Sequence, residues 1–220
     1  MEHRKPAEIE RASMEIINSE LTERGILLAE DTADVVRRVI HATADFDYAE
    51  NLRFSPGAVE RAVGALRSGA SVVTDTNMAL SGVSGPGLRR LNGSKHCFMA
   101  DPQVAMEAKE RGTTRAVVSV EKAAEALPNC IYAVGNAPTA LLELVRQMEQ
   151  GFRPALIVGV PVGFVNVLEA KEAVWEACLR LEVPAIVAMG RKGGSTVAAA
   201  ILNALIYRAA DMTDPEKRGW

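Results

Sequence analysis

The spacing of apolar positions divides the chain into two unlike parts. In PAEIERASMEIINSELTERG, residues 6–25, Ile9, Ile16, Ile17 and Leu21 fall near one helical face, and Gly25 supplies an end. DTADVVRRVIHATAD, residues 31–45, predicts a second helix with Asp31 or Thr32 as cap and Val35, Val36, Val39 and Ile40 as its apolar side. SPGAVERAVGALRSG predicts a third, opened by Ser55 and Pro56. Beyond it, short apolar runs alternate with helical stretches. The runs are SVVTD, HCFMA, CIYAVG, ALIVGV and AIVAMG, and the later ones show no polar alternation, as strands buried on both faces do. The expected architecture is a three-layer α/β/α domain spanning 1–220, with a mainly parallel sheet of about five strands. The tail DMTDPEKRGW, from 211, is expected to be loose.

Glycine-bearing turns follow several of these strands: TDTNMALSGVSGPG, VGNAPTA, VGVPVGF and MGRKGGST. Parallel sheets bind ligands outside the carboxyl ends of their strands, so four such turns predict one continuous binding rim. Taken singly, each reads as an ordinary strand-to-helix turn. None is a nucleotide fingerprint, because GRKGGS is too short for GxxxxGK[ST] and no GxGxxG follows a strand. Arg191 and Lys192 beside Gly193, Gly194 and Ser195 can hold a carboxylate or phosphate, or form a solvated basic turn.

Composition narrows the partners. The chain is 48% hydrophobic with few aromatics, and its formal charge of -3 gives no field that would draw nucleic acid or an anionic membrane. The charged start lacks the apolar core of a secretory signal, and no apolar run approaches the length of a membrane span. A cytoplasmic protein is expected. Cys97, Cys130 and Cys178 lack close metal-ligand spacing, and the latter two read as small core residues.

Of the three histidines, His41 stands in a distinctive polar cluster, while His3 lies near the terminus and His96 at the start of a strand. His41 is either a core side chain at a helix end or a group that handles a proton; Asp45, one turn on, either orients it or serves as a helix-end group, with Asp47 as a turn former. Asp75 and Thr76 sit at a strand end where a ligand can reach them or where they cap the following helix. Arg115 falls in the first turn of a helix capped by Thr113 or Thr114, where it opposes the helix dipole and calls for an anionic partner.

RVIHATADF, VVTDTNMALSGV, AKERGTTRA, YAVGNAPTAL, LIVGVPVGFVNVLEAKE and GRKGGSTVAAAILNAL occur in order along the chain. Together they resemble the precorrin-8X methylmutase family, including the cobalt-precorrin-8 members of the anaerobic route to cobalamin. The resemblance implies an isomerase that moves a methyl group from C11 to C12 of a corrin precursor, giving cobyrinate, or hydrogenobyrinate in the metal-free form. It implies a homodimer with no cofactor and no metal of its own, any cobalt belonging to the substrate. It also implies His41 as proton donor. Ser13, Thr43, Asp75, Arg115, Gly135, Asn136, Arg191, Gly193, Gly194 and Ser195 become substrate-binding residues. Two other readings are a tetrapyrrole carrier without activity and a sugar-phosphate or nucleotide enzyme using the GRKGGST turn.

Overall fold

The computed structural model describes residues 5–218, so His3 lies outside the described residues. Four of the expected strands form as β2 (Val72–Thr74), β4 (Ile131–Val134), β5 (Leu156–Gly159) and β6 (Ala185–Ala188), while HCFMA shares only His96 with the fifth, β3 (Lys95–His96). They run parallel in the order β6-β5-β4-β2-β3. The sheet has six strands rather than five, because β1 (Leu52–Phe54) adds an antiparallel edge beside β6. Three residues carry too little alternation to announce a strand. Ser55 finishes the pairing: its N–H donates to Ala185 O and its hydroxyl accepts from Ala185 N, both at 2.9 Å. It therefore does not cap the next helix, α4 (Ala58–Arg67), whose cap position is Gly57.

Alternate strand residues feed two cores. Ile131 and Ala133 of β4 face one, and Tyr132 and Val134 the other. Over the first face lie α1 (Pro6–Glu23), α2 (Ala33–Thr43), α4, the short α5 (Asn77–Gly82) and α6 (Gly85–Arg90), and α11 (Ser195–Ala209). The second face carries α8 (Arg115–Ala126), α9 (Pro138–Glu149) and α10 (Val167–Arg180), with α7 (Pro102–Glu110) packed on α8. A helical turn, α3 (Tyr48–Asn51), leads into β1. α11 is apolar around most of its circumference because it packs against α2, α4, α5 and the sheet at once.

Strand order places the crevice. β3 and β4 flank β2 on opposite sides: the chain steps from β2 out to β3 and then crosses back past β2 to β4, so the gap opens at the carboxyl ends of β2 and β4. α11 descends from that edge. α2 runs against it, since Arg208 near the end of α11 donates to Asp31 O at 2.7 Å. The last turn of α2 is thereby carried up to the rim.

The tail departs from expectation. Residues 215–218 form a 3-10 turn, and Met212 and Arg218 are buried. The Arg218 guanidinium lies 4.1 Å above the Tyr207 ring and donates to both oxygens of Glu10 at 2.7 Å. An aromatic seat and a half-buried carboxylate from α1 hold what composition alone reads as a polar terminus.

Candidate functional site

His41 occupies the last turn of α2 and is exposed. It opens on a cleft of about 290 Å³ shared with Ser195, Thr196 and Asn203 of α11, and with Met78 and Gly82 of α5. Its ring nitrogens have no hydrogen-bond partner among the described residues, which leaves them free to address a ligand. Partial burial lowers its pKa below the ordinary imidazole value, and the Arg38 charge one turn earlier adds to the effect. Thr43 is turned back on its own helix, donating to Val39 O at 2.8 Å and accepting from Asp45 N at 3.3 Å.

Asp45 does not orient the imidazole. Its carboxylate and that of Asp47 each accept from Lys192 Nζ at 2.6 Å. Lys192 therefore ties the exit of the His41 helix to the turn after β6.

That turn belongs to a braced cluster at the crevice. Asp75, 1% exposed, accepts N–H bonds at 2.8 Å from Gly135, Asn136 and Ala137, spanning the gap between β2 and β4. Burial pushes its carboxyl pKa up while those three donors pull it down. Its carboxylate is committed to the turn and supports the rim. Thr76 caps α5, accepting from Ala79 N at 3.1 Å, and its hydroxyl meets the Ser195 hydroxyl at 2.8 Å. Gly135 is required by close approach: a Cβ there would lie 2.8 Å from Ser195 Cα. At Gly193 a Cβ would stand 2.1 Å from Val160 O, and Gly194 N donates to that same carbonyl at 2.8 Å. Beneath them the fully buried Lys171 of α10 donates to Gly190 O at 2.7 Å and Lys192 O at 2.8 Å.

The remaining candidates divide by layer. Arg115 is exposed at the first position of α8, whose cap Thr114 accepts from Val117 N, and it has no ion pair among the described residues. α8 descends to begin β4, so Arg115 starts at the same carboxyl edge as the turns but on the opposite helical layer from His41. Arg191, also unpaired among the described residues, lies 5.8 Å from the Phe164 ring. Asn136 is exposed on the rim. Ser13 donates to Ile9 O within α1 and does not line the His41 cleft. Cys130 and Cys178 are buried free thiols, each pushed up to about 12 by burial.

Sequence reasoning passed over two residues of this site. Lys171 occupies an i, i+3, i+4, i+7 set with Val167, Ala170 and Val174, and a lysine in a buried register was the available signal. Asn203 interrupts the apolar run of α11; its amide donates to Gly82 O and its oxygen accepts from Ser84 N, both at 2.8 Å, holding α5 over the cleft.

Residues 8–208 match the family model described as precorrin-8X methylmutase. The cobalt-precorrin-8 methylmutase of Leptospira interrogans is 44% identical over 90% of this chain and 91% of its own. That of Salmonella typhimurium is 45% identical over 79% and 80%. A crystal structure of precorrin-8x methyl mutase from Thermus thermophilus superposes with a TM-score of 0.83 at 45% identity, covering 92% of this chain and 98% of that one. The matched span contains His41, the braced turns and all six strands, so the chain belongs to the precorrin-8X methylmutase family.

Proposed function

We propose that this protein is a cobalt-precorrin-8 methylmutase, an isomerase that shifts a methyl group from C11 to C12 of the corrin precursor to yield cobyrinate in cobalamin biosynthesis. The observation that carries the reading is an unpartnered histidine facing a cleft beside a rim of braced turns, in a chain 44% identical to a relative of that name. The migration is intramolecular, so no atom enters or leaves. What it needs is a ring held in place and polarised as the methyl moves. A proton or hydrogen bond donated by His41 to the conjugated ring withdraws electron density in that step and is returned afterwards. Arg115 and Arg191 supply unpaired cations at the carboxyl edge for the acetate and propionate arms of the substrate. The Gly193–Gly194–Ser195 turn and the exposed Asn136 complete the rim. Ser13 and Thr43, whose hydroxyl protons are given to their own helix, contribute at most acceptor oxygens.

The protein works as a homodimer in the cytoplasm, where its three free cysteines stay reduced. Among the described residues, no helix is long and apolar enough to cross a membrane.

The decisive experiment is single-turnover conversion of cobalt-precorrin-8 by His41→Asn, with thermal unfolding measured on the same preparation. The exposed position predicts an unchanged melting temperature, retained pigment binding and a rate lower by about 100-fold or more. Wild-type turnover by the folded variant would remove His41 from the mechanism. Metal-free precorrin-8 run in parallel tests the substrate assignment, and a strong preference for it would overturn the cobalt form.

A further inference from the structure

A second cavity, of about 410 Å³, adjoins the His41 cleft and is enclosed by α1, α2, α11 and the tail. Arg38 lines both spaces. Four arginines and three acids face this cavity, and most are already matched. Arg11 pairs with Asp214 at 3.0 Å and Glu216 at 2.9 Å. Arg38 and Arg218 share Glu10, at 2.6 and 2.7 Å. Arg37 differs. It has no ion pair among the described residues, and its Nε is buried without a hydrogen-bond partner. The Arg37 side chain lines the cavity with no acceptor of its own among the described residues, so a carboxylate bound there would be its first charge partner.

We propose that this cavity is a second carboxylate seat of the same site, in which Arg37 receives one acetate or propionate arm of the corrin substrate. The proposal rests on the methylmutase reading and adds to it a recognition point. Residues 37 and 41 are four apart on one helix, so they lie on neighbouring turns about 6 Å apart along the axis. That is the reach of a short carboxylate arm from a ring whose edge sits at His41. With Asp214 and Glu216 matched to Arg11, the charges around the cavity nearly cancel, so the pull on an anion comes from Arg37 and suits a single carboxylate better than a multiply charged phosphate. The planar fork of Arg37 can take both carboxylate oxygens.

The test is absorbance titration of hydrogenobyrinic acid and of its fully esterified form, against wild type, Arg37→Met and Arg37→Lys. Mass by light scattering and thermal unfolding are recorded for each protein. Arg37→Met is expected to weaken binding of the acid about tenfold and leave the ester unaffected, with mass and melting temperature unchanged, because Arg37 gives up no internal partner. Arg37→Lys should recover part of the loss. Equal affinity of wild type and Arg37→Met for the acid overturns the seat and leaves the methylmutase reading standing. Unfolding of both variants, or a lower mass, overturns it too, since Arg37 would then serve the fold or the subunit contact. Failure of wild type itself to bind the acid defeats both readings.

Discussion

A general acid has to lose its proton easily and still hold it at working pH, and the surroundings of residue 41 bear on both. Burial and the Arg38 charge depress the His41 pKa below its ordinary value of 6.5, which makes the imidazolium a stronger acid. The pH dependence follows in sign. If the protonated form is the active one, kcat/KM for free enzyme and substrate is high below the depressed pKa and falls as pH rises through it. A series from pH 5 to 8 should therefore show a decline centred below 6.5. Arg38→Gln should move that decline to higher pH, because it removes a positive neighbour and leaves Glu10 less neutralised. A midpoint above 6.5 in wild type would contradict the assignment. His41 was legible in the sequence because a histidine followed by acids at a helix end is unusual. The ion pair of Asp45 was not legible, because its partner, Lys192, lies 147 positions away along the chain. The bracing by Asp75 was not legible for the same reason, since its three donors belong to a turn 60 to 62 residues on.

At the scale of elements, the site depends on how the turns after β4, β5 and β6 lean on one another, and Lys171 is their buried support. Among the described residues no carboxylate pairs with it, and desolvation lowers its pKa to about 8. The consequence for stability has a definite sign. Between about 8 and the ordinary 10.5 the unfolded chain keeps a proton that the folded chain has released, so rising pH favours the fold at this residue. Urea unfolding at pH 7 and 9.5 should show wild type gaining roughly 1–2 kcal/mol relative to Lys171→Met, which has nothing to titrate. No difference in pH response would mean that the buried lysine keeps an ordinary pKa. Four of the parallel strands were legible because each is a short apolar run bounded by turn residues, whereas β3 consists of Lys95 and His96 and its position rests on pairing with β2. β1 was not, since its stability comes from Ala188, Val187 and Ile186 opposite it. α5 and α6 are six residues each, too short for a helical period to emerge from a segment rich in Gly and Ser, and it was read as one long turn.

For the whole molecule the sizes of site and substrate disagree in an informative way. The His41 cleft, at about 290 Å³, sits at the bottom of the ~300–1,000 Å³ range of ordinary small-molecule sites. A corrin ring with its fringe of carboxylate arms is larger than that, so one chain can enclose only an edge of it. The rest must lie over the rim, where Phe164 is 85% and Val165 77% exposed beside the Arg191 guanidinium. Apolar groups next to a cation suit a flat ring with charged margins, yet such a surface left to solvent would seclude the reacting carbons poorly. The proposed dimer would resolve the mismatch if a second copy of the chain closed over the exposed part, and it would give Arg115, on the layer opposite His41, a substrate edge to meet. Light scattering should report 47.2 kDa, twice the chain mass of 23.6 kDa. The assembly and the site should also be coupled: pigment added to dilute protein should raise the mass, and affinity measured below the dimer dissociation range should fall. A 23.6 kDa species that binds pigment with the same affinity at every concentration would show that a single chain suffices, and the rim loop would then have to cover the ring unaided.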